Sequence, residues 1–228
     1  DLVSNAANNI IRFGVKPEIL QANMVCGNND SNQILLMGKA LKEACEISRI
    51  VFAGLEVAAQ AVNYSPKEYK TSALVFGTVD REKIITGEQI TEGDVIIGLR
   101  TEGISSISYP FIKVIIDRKP DIINTKIDGH NIFMDELMKP NASFVNAIDE
   151  LNKHNLVHGV FSIDRSLFNN RCYNTMPKGL GACISVSSIP LSALFQYIYD
   201  LKMMDRECFL ENFSLGISML LAVPKKQC

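Results

Sequence analysis

The sequence predicts an α+β chain in two parts, with an α/β layer in the first part and a mixed sheet with helices in the second. Three observations lead there. A helical apolar stripe from Ser31 to Ile47 runs into the short apolar segment Arg49 to Ala53 and then Gly54, the helix-then-strand order of an α/β layer. Tyr69 to Val79 alternates, with Ala73, Val75 and Gly77 on one side and Leu74, Phe76 and Thr78 on the other. The polar turn Thr91-Glu92-Gly93-Asp94 opens directly into an apolar run, Val95 to Leu99, which reads as a strand.

Taken in order, Ala6 to Phe13 reads as a strand or the edge of one. In the Ser31 to Ile47 helix, Ile34, Leu35, Leu36, Leu41, Ala44 and Ile47 form the stripe, with Ser31 as N-cap. Ile84 to Gly87 is an extended segment and turn, and a domain change falls near residues 86 to 94, giving parts 1–88 and 89–228. Ser108 to Ile116 is helical from about Pro110, because proline is tolerated in a first helical turn. Phe144 to Leu151 has a helical stripe, Leu156 to Phe161 and Ala182 to Val186 read as strands, and Pro190 to Leu201 reads as a helix with Leu194, Tyr197, Ile198 and Leu201 inward. Leu215 to Val223 is the strongest late strand. No internal repeat or low-complexity segment interrupts the pattern.

The chain is 228 residues long and 47% hydrophobic, which suits globular material with a sizeable core. Its formal charge of -2 comes from scattered groups, so no basic stripe points to a nucleic acid or an anionic membrane. No apolar run approaches the ~18 residues that span a bilayer. Cys26, Cys45, Cys172, Cys183, Cys208 and Cys228 include no CxxC pair and, with three histidines, no zinc spacing; they read as free, mostly buried thiols of a reducing compartment. The sequons at Asn29, Asn63, Asn141 and Asn212 read as chance matches. Asp1 opens directly into patterned sequence and Cys228 closely follows an apolar run, so both ends read as cut.

Several phrases, in order, resemble one family. Asp1-Leu2-Val3 resembles an Asn-Asp-Leu segment that leads into GAEP, here Ala6-Ala7-Asn8-Asn9. Gly54-Leu55-Glu56-Val57-Ala58 resembles GGETA, and Ile85, Gly87, Gly93-Asp94 and Val95-Ile96 follow an I-x-G…GD-x-L-I pattern. Pro140 lies in a would-be LAPTRIY motif, and His158 lies where a histidine precedes a GGG turn. Pro177 to Ala182, Ser187-Ser188-Ile189-Pro190, Phe195-Gln196, and then Phe213, Gly216, Ile217 and Met219 match the late segments. Together these phrases resemble the phosphoribosylformylglycinamidine cyclo-ligase (aminoimidazole ribonucleotide synthetase) family along the whole chain. The same-fold selenophosphate and thiamine-phosphate kinases fit the Glu56 context and the Pro177 to Phe195 segment less well.

The resemblance implies an amino-terminal α/β domain that dimerises through a strand barrel, a carboxy-terminal α+β domain, and use of ATP and magnesium. In that family ATP activates the formyl amide oxygen of formylglycinamidine ribonucleotide, the amidine nitrogen closes the imidazole ring, and phosphate leaves. Such chemistry needs carboxylates for magnesium, glycine-rich turns close to phosphates, and a base or donor at the cyclising centre.

By the same resemblance, Asp1 and Glu56 would hold nucleotide and metal, and His158 and Ser106 would act in catalysis. Each has a plainer reading: Asp1 frays, Glu56 faces solvent, His158 is structural. His130 and His154 read as surface residues. Other expected groups are replaced. The S-G-x-H-S-N-G loop reads Glu102 to Ser108, with Ser105, Ile107 and Ser108 in place of His, Asn and Gly. T-G-G-G reads Val160-Phe161-Ser162-Ile163, Asn141-Ala142 replaces Thr-Arg, Leu55 replaces a glycine, and Ser214 and Ser218 replace Asn and Gly. Phe and Ile in a phosphate turn remove both φ freedom and space. The family's amino-terminal part, with a nucleotide loop, a lysine and barrel strands, is not represented.

Two expectations follow from the resemblance. One is a cytoplasmic cyclo-ligase of impaired turnover, acting on a small nucleotide substrate. The other is a non-catalytic dimerisation or scaffold module, as a homodimer or fused with other purine-enzyme domains. Neither involves nucleic acid or membrane. An active enzyme would gather Asp1, Glu56 and His158 around one cleft; a scaffold would fill that cleft with Phe161, Ile163 and Ile107.

Overall fold

The computed structural model describes residues 1–169 and 173–227, which form two compact units. The first comprises Asp1–Ile84 and returns at Ser143–Asn155; the second comprises Ile85–Ala142 and the chain from Leu156 onward. Each contains one three-stranded sheet.

In the first unit, helix α1 (Leu2–Ile11) leads into β1 (Lys16–Cys26), α2 (Ser31–Ile47), β2 (Val51–Ala59) and β3 (Tyr69–Thr78). The strand order is β2-β1-β3, with β2 parallel and β3 antiparallel to the central β1, so this sheet, sheet A, is mixed. The α2 crossover supplies the length that a parallel pair requires. Along β1, Leu20, Ala22, Met24 and Cys26 are buried, and the alternate residues Ile19, Gln21, Asn23 and Val25 form the other face. Helix α1 packs against β1 and β3 through Val3, Ala7 and Ile11, spaced four apart on one face. The returning helix α5 (Val145–Lys153) buries Val145 and Ile148. Asn8 Oδ1 accepts the Phe144 N–H at 2.9 Å, and Lys83 Nζ donates to Asn155 Oδ1 at 2.6 Å and to the Lys153 carbonyl at 3.0 Å, satisfying the helix's carboxy-terminal end.

In the second unit, β4 (Val95–Arg100), α3 (Tyr109–Arg118), α4 (Phe133–Leu137), β5 (Gly159–Ser162), α6 (Ala193–Asp200), α7 (Arg206–Asn212) and β6 (Ile217–Val223) build sheet B, ordered β4-β6-β5 and wholly antiparallel. One core cluster joins Phe161, Leu220 and Ala222 of the sheet to Ile112, Phe195, Phe209 and Phe213. Phe213 meets Phe209 at 5.2 Å and Phe195 at 6.3 Å between ring centroids, tilted and edge-on as aromatic quadrupoles favour. The alternate residues of β6, Met219 and Leu221, are buried too, so its central strand has no solvent face.

Several expectations change. Ala6 to Phe13 is the end of α1 and the turn after it; the i, i+4, i+8 spacing of Val3, Ala7 and Ile11 is a helix period. The cap of α2 is Asp30, whose carboxylate accepts the N–H of Asn32 at 2.9 Å, one residue before Ser31. The short strand at Arg49 to Ala53 is the longer β2, shifted toward Ala59, with a bulge where Gln21 meets Gly54. Ala182 to Val186 alternates in burial but pairs with no described strand, so it is an extended strap. The mixed sheet expected in the carboxy-terminal part belongs to the first unit, and the sheet of the second unit is antiparallel. Ser143–Asn155 groups with the first unit. Of the described thiols, Cys26 and Cys45 are buried, Cys183 is exposed and Cys208 lies between; Cys172 and Cys228 lie outside the described residues.

Candidate functional site

Sheet B has one end at which β4 and β5 finish and β6 begins, and four loops gather there. Thr101, just after β4, donates its N–H to the Gly216 carbonyl at 2.9 Å, and its hydroxyl accepts the Ala142 N–H at 2.9 Å. The same hydroxyl lies 3.3 Å from Asn141 Oδ1, and Asn141 is buried. Gly103 adopts φ +70°, and a Cβ there would collide with the Lys139 carbonyl, so only glycine lets these two loops close. Ser108 is buried and donates to the Asn212 carbonyl at 2.7 Å. Beyond β5, the Ile163 N–H reaches the Ser218 carbonyl at 2.8 Å. Leu215 (φ 57°) and Gly216 (φ 81°) are both left-handed, and the non-glycine member carries backbone strain at this junction. The segments carrying the substrate-loop, PTR-like, glycine-turn and late motifs therefore meet at one place.

Their contents are less suited to a phosphate. Phe161 is 1% and Ile163 2% exposed, both in the core, so the expected glycine turn is a paired strand with its side chains inward. Ile107 is 49% exposed and fills nothing. Ser106 is exposed at the start of a short 3-10 turn, Ser106–Ser108, at this end of the sheet.

His158 is at the other end. It precedes β5, and its N–H donates to the Ala222 carbonyl at 2.9 Å. Asp94 and Thr101 bracket β4, seven residues apart, or roughly 23 Å at about 3.3 Å per extended residue. Since His158 sits beside Asp94, the structure does not bring His158 and Ser106 together. Its Nδ1 lies 2.7 Å from Asp94 Oδ2, the side chains being 21% and 7% exposed. An ionised carboxylate only accepts, so Nδ1 carries the proton of that bond. The Thr91 N–H at 3.1 Å and hydroxyl at 3.3 Å also serve Asp94. Burial pushes the Asp94 carboxyl upward, but the His158 and Thr91 hydrogen bonds outweigh it and hold it below the usual value of 3.8. Sequence reasoning does not single out Asp94 as this partner; the polar turn before a strand is the available signal, but a partner 64 residues away leaves no local trace.

Asp1 is the N-cap residue of α1, without a side-chain cap bond, and belongs to the helix-covered side of sheet A. Glu56 is exposed on β2, opposite Asn23, on the other face. The two carboxylates thus lie on opposite sides of one sheet. Among the described residues no group of three or more His, Cys, Asp or Glu could hold a metal ion. His130 and His154 are exposed, as expected of surface residues.

No protein-family model matches the chain. The phosphoribosylformylglycinamidine cyclo-ligase of Bacillus thuringiensis (strain Al Hakam) is 28% identical over 228 residues, covering 99% of this chain and 66% of that protein. The chain therefore spans a little under two-thirds of the length of the curated relatives it matches. Among solved structures, thiamine monophosphate kinase from Aquifex aeolicus aligns with a TM-score of 0.68 at 14% identity, over 98% of this chain and 70% of that one. T. maritima PurL complexed with AMPPCP aligns with a TM-score of 0.59 at 15% identity, over 99% of this chain and 32% of that one. The structural likenesses show a shared mixed α/β fold, and the sequence likeness runs the length of the chain: it resembles the phosphoribosylformylglycinamidine cyclo-ligase family throughout.

Proposed function

We propose that this chain is a cyclo-ligase-like module of purine biosynthesis that has kept the fold and is impaired in, or has lost, ring closure of formylglycinamidine ribonucleotide. One observation carries the reading. Where a phosphate-cradling glycine turn is expected, Phe161 and Ile163 are core residues, and their burial stabilises the unit by about 1.5–3 kcal/mol each. Restoring glycines there would trade core for site, so fold and chemistry now make opposite demands on the same residues. The separation of His158 from Ser106 and of Asp1 from Glu56 supports the same conclusion.

The module's remaining role is self-association. The open face of sheet A carries Val51, Ile19, Leu74 and Phe76, which are 65%, 44%, 56% and 60% exposed, in adjacent register. Pairing that face with a second copy would bury it and close two open sheets against each other. Residual ring closure is the second reading, favoured by the four loops that still meet through Thr101, Asn141 and Gly216.

The deciding experiment is ring closure by the purified chain with formylglycinamidine ribonucleotide, ATP and magnesium, beside a Glu56→Ala control. The expected result is no aminoimidazole product above that control, both for the folded chain and for a longer version carrying an added family amino-terminal part. Sustained turnover lost in Glu56→Ala would overturn the impaired reading.

A further inference from the structure

The second unit holds a slot of about 310 Å³ on the helix-bearing face of sheet B. Its floor is Gly98 of β4 and Leu220 of β6, its roof is Ile184 and Ile189 of the strap and the turn after it, and Arg100 lines it toward the loop end of the sheet. A larger cleft, about 660 Å³, shares Leu167, Cys183 and Ile184 with it.

Three features make this slot more than a packing gap. Gly98 is a glycine inside a strand, where it weakens the sheet and often marks the close approach of another group. It has no positive φ, so the backbone does not require it, and a Cβ there would come within 3.2 Å of Ile217 Cδ1, a side chain rather than backbone. The strap is held off the sheet as well: among the described residues no backbone hydrogen bond ties the N–H groups of Ala182 to Val186 to β4. Finally, Arg100 pairs with no carboxylate among the described residues, which leaves its planar donor fork available.

We propose that this slot binds a small flat molecule with an apolar body and an anionic head. The ring would lie along the Gly98 backbone beside the Ile217 side chain, under Ile184 and Ile189. The anion, whether carboxylate, sulfonate or phosphate, would sit on Arg100, as guanidinium geometry favours. The volume falls at the small end of the range for ligand pockets. This inference does not depend on whether the chain closes a ring.

The test is a two-dimensional NMR titration of the full chain with naphthalene-2-sulfonate, and with uncharged 2-methylnaphthalene for comparison. The sulfonate should move the Gly98 amide and the Ile184 and Ile189 methyl resonances in a saturable way. Arg100→Gln should weaken the sulfonate about five- to tenfold and leave 2-methylnaphthalene unchanged. Gly98→Val should abolish both; should that variant misfold, the Arg100→Gln comparison between the two probes still decides. Unmoved Gly98 and Ile184 resonances, or equal weakening of both probes in Arg100→Gln, would overturn the proposal. Equal binding of inorganic phosphate would overturn its requirement for an apolar body.

Discussion

Sheet A and sheet B each have three strands, yet they solve burial differently. Sheet B surrounds β6, so that Met219, Leu220, Leu221 and Ala222 are all nearly inaccessible. Sheet A covers the Leu20, Ala22, Met24 face with helices and leaves Ile19, Val51, Leu74 and Phe76 in solvent. A central strand covered on both faces is finished within one chain, even though β4 at the edge of sheet B leaves Ile97 exposed. A sheet with one bare apolar face has an interaction still to make, since exposed apolar area of this kind marks a contact surface. The same substitution should therefore affect folding in one sheet and association in the other.

The largest effect should come from the finished sheet. Phe161→Ala should cost about 3–5 kcal/mol, read by urea unfolding of the monomer, because the cavity adds to the lost transfer energy. A loss below about 1 kcal/mol would mean that Phe161 is not a core residue and would weaken the argument against a phosphate turn. In the bare sheet, Phe76→Lys should change monomer stability by about 0.5 kcal/mol or less. It should nonetheless abolish self-association in light scattering; a dimer that survives it would remove sheet A from the interface.

Asp94→Asn should be intermediate, about 1–3 kcal/mol, because it weakens the hold on a partly buried imidazole. The pH dependence follows from the depressed Asp94 carboxyl: its contribution is full above the ordinary value of 3.8 and is lost as the pH falls through the lower folded value. Acid unfolding of Asp94→Asn should lack that limb below the ordinary value of 3.8; an unchanged acid profile would argue against the pairing. The caps should have smaller effects than Asp94. Asp30→Ala in α2 and Asp205→Ala in α7 each remove an N-cap acceptor, worth about 1 kcal/mol. If the units unfold separately, calorimetry should show each variant moving a different transition.

The sequence shows strong local periods well. The α2 range matches from Ser31 to Ile47, and β3, β4, α3 and β6 lie within a few residues of expectation. The principal omission is β1, the strand on which sheet A is built. Leu20, Ala22, Met24 and Cys26 alternate with the polar Gln21 and Asn23, the pattern of a half-buried strand, and Pro17 near its start is the residue that argues against one. Ala182 to Val186 fails in the opposite way: its alternation is real, but strand formation also needs a partner edge, which no local pattern reports. At the candidate site, the sequence locates the loops that meet and the residues replaced within them. It cannot show that His158 and Ser106 fall at opposite ends of β4, because that depends on register between strands far apart in the chain.

The return of Ser143–Asn155 to the first unit bears on how this chain comes off the ribosome. The bond from the Phe144 N–H to Asn8 spans 136 positions, and α5 closes a unit whose sheet is complete by Thr78. Until α5 is synthesised, β1 to β3 must wait with part of their helical cover missing, exposed to mispairing for several seconds at about 5–20 residues per second. A fragment ending near Ile84 would keep every strand of sheet A and still be a poor candidate for soluble expression.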